Sequence, residues 1–229
     1  MLKAILFDLD NTLLDFSGFK RESALAAAKA MKQAGLWQDE KIIYNKINEV
    51  YEKKGIEYQL TFGEVLHELG IEDPNLFEHA KQAAIIAYNK KKYELLKPRQ
   101  KVIRVLTSLK GKYKLGIVTD APKDKAWQRL ILAGLDGFFY PVVTFSDTNE
   151  RKPSTTPFKK ALVHLKLQPS EVLYVGDMPE RDIIGAKRMG MHTCLAKYGC
   201  LEYKEEMNVA DYTIEKFEDI DEIIHSVED

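Results

Sequence analysis

The chain has 229 residues, of which 45% are apolar and 30% are charged, and its 34 Lys and Arg residues almost balance 35 Asp and Glu residues. This balance gives no support to nucleic-acid or membrane-surface binding, which usually require a basic excess, and the apolar content excludes a disordered chain. Two cysteines are too few for a disulfide framework, and no apolar run reaches the ~18 residues of a membrane-spanning helix. We expect a cytoplasmic protein, monomeric or homodimeric, without nucleic-acid or membrane partners.

The first predicted strand, at residues 2–7, is followed by about eighty residues without a convincing strand. Helical patterns fill this segment, and a glycine follows several of them, as is typical of helix C-termini. The helical patterns cover residues 20–34, 38–54, 62–69 and 74–95. Residues 16–97 are therefore predicted to form an inserted, all-helical cap, with candidate hinges near residues 15–18 and 96–99.

Apolar runs and helical patterns alternate through the rest of the chain. The later runs lie at residues 114–119, 141–145, 171–176 and 192–196. The helical patterns lie at residues 99–110, 123–133, 155–166, 179–189 and 217–227. Continuous apolar runs are typical of strands buried on both faces, and their alternation with helices predicts a doubly wound, Rossmann-like parallel α/β sheet. This core is predicted to comprise residues 1–15 and 98–229.

Side chains suited to phosphate and metal chemistry follow four of the predicted strands. They are Asp8 and Asp10, Thr119 and Asp120, Lys152, and Asp177 with Asp182. Each alone has an ordinary explanation as a solvated turn, a helix cap or a surface charge. In an open parallel sheet, however, ligands bind beyond the carboxyl ends of the strands, where all these residues would gather. Their conjunction predicts one functional site.

The segments FDLDNTL, VTD, RKP and GDMPERD, in this order, resemble the four motifs of the haloacid dehalogenase-like (HAD) hydrolase superfamily. The resemblance covers residues 1–15 and roughly 98–215, and the helical insertion resembles the C1 type of cap in this superfamily. Two positions depart from the usual pattern: Asn11 replaces a more common Gly, and Met178 stands where Ser or Thr often follows the aspartate. Neither departure removes a charged group, so both concern fine geometry and substrate.

The resemblance implies a Mg²⁺-dependent phosphatase that hydrolyses a small phosphorylated metabolite through an aspartyl-phosphate intermediate. It assigns Asp8 as the nucleophile and Asp10 as the general acid and base. It also implies that Mg²⁺ is held by the side chains of Asp8 and Asp177 and by the backbone carbonyl of Asp10. Carboxylate and carbonyl oxygens are the ligands that Mg²⁺ prefers.

The resemblance also implies roles for the remaining motif residues. Lys152 would help to bind the phosphate, keep Asp8 ionised and stabilise the charge that develops during phosphoryl transfer. Asp182 would orient Lys152 or a metal-bound water. Thr119 and the backbone N–H of Asp120 would bind the transferring phosphoryl oxygens.

Several other functions remain open. A phosphomutase, a phosphonatase or a haloacid dehalogenase would use the same core, although the dehalogenase branch lacks an aspartate at the position of Asp10. A phosphate-sensing binding module, similar to a response-regulator receiver domain, would also cluster acids, Thr and Lys beside a parallel sheet. The motifs do not locate the cap residues that set specificity, and the substrate could be a sugar phosphate, a glycolate or glyceraldehyde phosphate, or a nucleotide.

Overall fold

The structure is a computed structural model that describes residues 1–201, 203–204 and 209–228. The chain divides into two compact units, one formed by Met1–Phe16 and Leu96–Asp229 and the other by Ser17–Leu95. The predicted boundaries lie one and two residues away, after residues 15 and 97. The predicted core range also includes residues 202, 205–208 and 229, which lie outside the described residues.

The first unit is built on a six-stranded sheet with strand order β3-β2-β1-β4-β5-β6, in which every pair of neighbours is parallel. The strands are β1 (Ala4–Phe7), β2 (Lys114–Val118), β3 (Val142–Val143), β4 (Val172–Gly176), β5 (His192–Ala196) and β6 (Tyr212–Ile214). The α-helices of this unit are α5 (Val102–Lys110), α6 (Lys123–Leu132), α7 (Phe145–Thr148), α8 (Thr156–Leu165), α9 (Ile184–Arg188) and α10 (Ile220–Glu228). The predicted doubly wound parallel α/β fold is confirmed.

Both faces of the sheet are covered by apolar side chains. In β1, Ile5 and Phe7 belong to one buried cluster and Ala4 and Leu6 to another, because successive side chains of a strand point to opposite faces. All four side chains are fully buried. This two-sided burial explains why the strand reads as a continuous apolar run rather than an alternating pattern.

The central strands end at the same level. Phe7 of β1 pairs with Ile117 of β2 on one side and with Val175 of β4 on the other. The residues that follow these three strands therefore lie at one edge of the sheet, with β1 in the middle.

The third predicted strand is much shorter than its apolar run. Only Val142–Val143 pairs with β2, because Thr144 begins a helix instead of continuing the strand. The Asp147 carboxylate accepts the backbone N–H of Thr144 at 3.0 Å and its hydroxyl at 2.6 Å, which satisfies donors at the start of α7. The predicted strand at 141–145 is therefore wrong at residues 144 and 145, which belong to the start of α7.

Two further elements differ from the prediction. Strand β6 was not predicted, because it has three residues and only Ile214 is fully buried among them. The predicted helix at 179–189 divides into a π-helical turn, Pro179–Ile183, and helix α9.

The second unit is entirely helical. It contains α1 (Phe16–Gln33), which begins at the boundary, and α2 (Glu40–Lys54), α3 (Thr61–Glu68) and α4 (Pro74–Leu95). Their apolar faces form a separate buried cluster that includes Met31, Ile43, Ile47, Val65 and Ala80. In the described part of the chain, no helix is both long and apolar enough to cross a membrane.

Candidate active site

The ammonium group of Lys152 lies at the centre of the residues that follow the strands. Its side chain is 3% exposed, and Nζ contacts Asp8 Oδ1 at 2.5 Å and Asp182 Oδ1 at 2.6 Å. Nζ also donates to the Val118 carbonyl and lies 3.1 Å from the Tyr174 hydroxyl. Burial lowers the pKa of Lys152, but the charges of Asp182 and Asp8 outweigh this effect and hold the pKa well above its usual value. Lys152 is therefore a buried cation shared by two carboxylates.

Asp8, Asp177 and Asp182 form a buried acidic cluster. Within the residues described by the structure, they offer carboxylate oxygens that all lie within 4.8 Å of one another. Burial and the charges of the neighbouring carboxylates raise the pKa of Asp8 well above its usual range, against the opposing effect of Lys152. Burial and the charge of Asp182 raise the pKa of Asp177 to about 8. Lys152 alone does not neutralise the three carboxylates, so a cation bound at this cluster would reduce the repulsion among them.

The donor set fits a hard divalent cation, with Asp8 and Asp177 as the better placed ligands. Asp177 Oδ1 accepts one hydrogen bond, from the Thr12 hydroxyl at 3.2 Å. The oxygens of Asp182, in contrast, are engaged by three donors: Lys152 Nζ, the Tyr174 hydroxyl at 2.9 Å and the Met178 backbone N–H at 3.0 Å. Oxygen ligands of this kind are those that Mg²⁺ prefers.

The side chain of Asp10 contacts a different partner from those of the acidic cluster. Its Oδ2 lies 2.5 Å from a guanidinium nitrogen of Arg129, a residue of α6 that is 3% exposed. The carboxylate of Asp10 is itself 20% exposed. The structure thus separates the two aspartates of the FDLDNTL segment, one paired with Lys152 and the other with Arg129.

Thr119 and Asp120 follow β2 at the same edge of the sheet. Thr119 is 3% exposed, and its Oγ1 accepts the Ala121 N–H at 3.2 Å. Asp120 Oδ1 accepts the backbone N–H of Lys152 at 2.9 Å, and Oδ2 lies 3.6 Å from Arg181. The Asp120 side chain therefore anchors the loop that carries Lys152, a contact that the sequence did not predict.

The two departures from the usual motifs have local explanations. Asn11 has a φ of 61°, in the left-handed region that glycine adopts freely and that Asn tolerates better than most other residues. Met178 contributes its backbone N–H to Asp182, and the residue as a whole is 38% exposed. Neither departure alters the contacts between Lys152 and the carboxylates.

Sequence reasoning missed two polar residues of the site. The apolar pattern of residues 171–176 predicts only a buried strand, yet the hydroxyl of Tyr174 lies among Lys152, Asp182 and the Val118 carbonyl. A signal existed, because a tyrosine in a strand buried on both faces needs a partner for its hydroxyl. Arg129 lay inside a predicted helix of mixed polarity, where nothing local marked it as buried.

The sequence of the chain is similar to those of known proteins of one family. The family model of haloacid dehalogenase-like hydrolases matches residues 5–196. A Methanopyrus kandleri protein named glyceraldehyde 3-phosphate phosphatase is 34% identical over 234 residues, which cover 99% of this chain and 99% of that protein. A protein of the same name from Methanocaldococcus jannaschii is 34% identical over 229 residues, again with 99% of each chain covered.

A solved structure shows the same fold. The crystal structure of a HAD phosphatase from Thermococcus onnurineus matches with a TM-score of 0.69 at 23% identity, covering 97% of this chain and 98% of that chain. The family model spans most of the chain, and the two relatives match it over nearly their whole length. The chain therefore belongs to the haloacid dehalogenase-like hydrolase family.

Proposed function

We propose that this protein is a Mg²⁺-dependent phosphatase that hydrolyses a small phosphomonoester through an aspartyl-phosphate intermediate. The observation that carries the proposal is the buried Lys152, whose Nζ contacts both Asp8 and Asp182. An anionic carboxylate that attacks an anionic phosphate needs positive charge beside it, and a buried ammonium group provides that charge without reorganisation.

Asp8 is the proposed nucleophile. One of its oxygens, Oδ1, is held by Lys152, so the position of the carboxylate is defined before substrate binds. Attack on phosphorus forms a bond between a carboxylate oxygen and the phosphoryl group and breaks the bond to the leaving alkoxide. Water then attacks the acyl phosphate, which releases inorganic phosphate and regenerates the Asp8 carboxylate.

The side chains of Asp8 and Asp177 and the backbone carbonyl of Asp10 would hold Mg²⁺. When bound, the cation supplies positive charge that offsets the repulsion between the carboxylate and the phosphate. Asp182 is a positioning residue in this scheme, because three donors already engage its oxygens. It holds the Lys152 ammonium group, which also contacts Asp8.

The remaining motif residues serve proton transfer and phosphate binding. Asp10 protonates the leaving alkoxide and then takes a proton from the attacking water. Thr119 and the backbone N–H of Asp120 bind the phosphoryl oxygens, while the Asp120 carboxylate anchors the Lys152 loop. We assign Ser17–Leu95 as the inserted cap, on the basis of its position in the chain between β1 and α5.

The substrate class follows from the relatives. Both full-length relatives described above are named glyceraldehyde 3-phosphate phosphatase, which supports a short phosphorylated carbon chain as the substrate. We propose small phosphomonoesters as the class, and glyceraldehyde 3-phosphate as the first compound to test.

The test is the release of inorganic phosphate from a panel of phosphomonoesters that covers triose, glycolate, sugar and nucleotide phosphates. We expect Mg²⁺-dependent turnover that EDTA abolishes and added Mg²⁺ restores. Halide release from haloacids, with no phosphate release, would contradict the proposal. Turnover indifferent to EDTA would contradict the metal assignment, and stable phosphorylation without phosphate release would favour a binding module.

A further inference from the structure

Arg129 is a buried arginine that none of the four motifs contains. It lies on α6 and is 3% exposed, whereas long cationic side chains almost never lose contact with water unless they are paired. One guanidinium nitrogen contacts Asp10 Oδ2 at 2.5 Å. The ring of Phe16 covers the guanidinium, with its centroid 4.4 Å from Cζ.

This arrangement is a poor device for stability alone. Removing a guanidinium and most of a carboxylate from water is costly for each ion, and an apolar residue of similar volume often packs as well or better in such a place. If residue 129 served only stability, Leu or Met at this position would therefore do as well as Arg. An ion pair that is retained at this cost is better explained by what its partner does.

The partner is the carboxylate that must face the reacting oxygens. An aspartate side chain turns about two bonds, and a partly exposed carboxylate has several orientations available. Arg129 restricts this freedom, because its planar guanidinium donates in fixed directions and is itself packed over the ring of Phe16. The three residues Asp10, Arg129 and Phe16 belong to the same compact unit, so the restriction is built into the α/β core.

We propose that Arg129, supported by Phe16, is the positioning residue for Asp10, and that phosphoryl transfer to poor leaving groups depends on it. The inference rests on the proposed function, because it takes Asp10 as the group that protonates the leaving oxygen. Arg129 itself exchanges no proton and contacts no reacting atom. It acts through the direction in which it holds the Asp10 carboxylate.

The test compares two substrates that differ in their need for an acid. An alkyl phosphomonoester has a poor leaving group that must be protonated, whereas p-nitrophenyl phosphate has a good one that needs little help. The ratio kcat/KM is measured for both, since it reports the steps up to the first irreversible phosphoryl transfer. The variants are Arg129→Met, Arg129→Lys, Asp10→Asn and the double variant, with Arg104→Met as the control at an exposed arginine of α5.

We expect Arg129→Met to lower kcat/KM for the alkyl substrate by ~10- to 100-fold, a part of the ~100- to 10,000-fold that general acid–base catalysis contributes. Its effect on p-nitrophenyl phosphate should be several times smaller, and Arg129→Lys should recover part of the loss. In the Asp10→Asn background, Arg129→Met should cause no further loss, because the group that it positions is gone. Arg104→Met should match the wild type.

Two results would overturn the inference: equal losses on both substrates, or losses that add to those of Asp10→Asn. If Arg129→Met does not fold, Arg129→Lys and Phe16→Leu give the same comparison, and an unchanged substrate preference in both would overturn it as well. A wild-type protein without phosphatase activity contradicts the proposed function itself. An active wild type whose substrate preference is untouched by these variants contradicts only the role of Arg129.

Discussion

Gly176, the last residue of β4, has no side chain, and the Asp182 carboxylate occupies the space that a Cβ atom at this position would need. A Cβ atom at position 176 would lie 2.4 Å from Asp182 Cγ and 2.5 Å from its Oδ2, distances that real contacts essentially never show. Asp182 would have to move by about 1 Å to reach an ordinary contact distance. Since its Oδ1 lies 2.6 Å from Lys152 Nζ and 2.9 Å from the Tyr174 hydroxyl, such a shift would break both hydrogen bonds.

The expected cost of Gly176→Ala follows from these contacts. Overpacking of a full site costs ~1–3 kcal/mol, and each of the two lost hydrogen bonds to a charged group costs ~1.5–3 kcal/mol, so we expect the free energy of unfolding to fall by about 4 kcal/mol or more. A displacement of about 1 Å in the group that positions Lys152 should lower kcat on the order of 100-fold.

The assays are urea unfolding and steady-state phosphate release. Gly137→Ala is the matched control, because a Cβ there meets no atom within 4 Å and the residue is not in the left-handed region. The control should stay within ~0.5 kcal/mol of the wild type. A Gly176→Ala variant with wild-type kcat and stability would show that Asp182 does not hold Lys152 as described.

Two further substitutions test individual side-chain hydrogen bonds. Tyr174→Phe removes the hydroxyl beside Lys152 and should lower the free energy of unfolding by ~1–2 kcal/mol and kcat by about 10-fold, with KM little changed, in urea unfolding and phosphate-release assays. The same change at Tyr140, which is 68% exposed, should have no effect, and an unaltered kcat in Tyr174→Phe would contradict the role of the hydroxyl. Partial burial acts to raise the pKa of Asp147, but hydrogen bonds from Thr144 and Lys123 outweigh it and the pKa is lowered. A lowered pKa in the folded state stabilises the protein above the unfolded value near pH 4, and this contribution disappears as the pH falls through the folded-state pKa. Asp147→Asn should therefore cost ~1 kcal/mol at pH 7 and clearly less at pH 3 in urea unfolding, and an equal cost at both would contradict this reasoning.

Much of the fold was predictable because strands that are buried on both faces consist of consecutive apolar residues. Strand β1 has Ile5 and Leu6 on opposite faces, and both are fully buried, so the strand appears as an unbroken apolar run. Strand β6 escaped prediction because an edge strand of three residues carries too little apolar pattern. The prediction of a strand over 141–145 is wrong at its end, because the start of α7 depends on Asp147, three residues after Thr144.

The meeting of Asp8, Asp177 and Lys152 was also predictable, because each follows a strand or a loop at the carboxyl edge of a parallel sheet. Arg129 and Tyr174 were not. Both side chains contact residues that are distant in the sequence. Arg129 contacts Asp10 from a helix 119 positions further along the chain, and Tyr174 contacts Lys152 from inside a strand. Such contacts depend on how elements pack, and local pattern does not record them.

The most direct test of the proposed chemistry is the replacement of its nucleophile. Asp8→Asn keeps the size of the side chain, and the amide oxygen can still accept a hydrogen bond from Lys152. An amide, however, cannot form the acyl phosphate. With Mg²⁺ and the best phosphomonoester of the wild type, we expect phosphate release to fall by more than about 1,000-fold while the thermal unfolding transition stays cooperative. Phosphate release near the wild-type rate in Asp8→Asn would contradict catalysis through an aspartyl-phosphate at this residue.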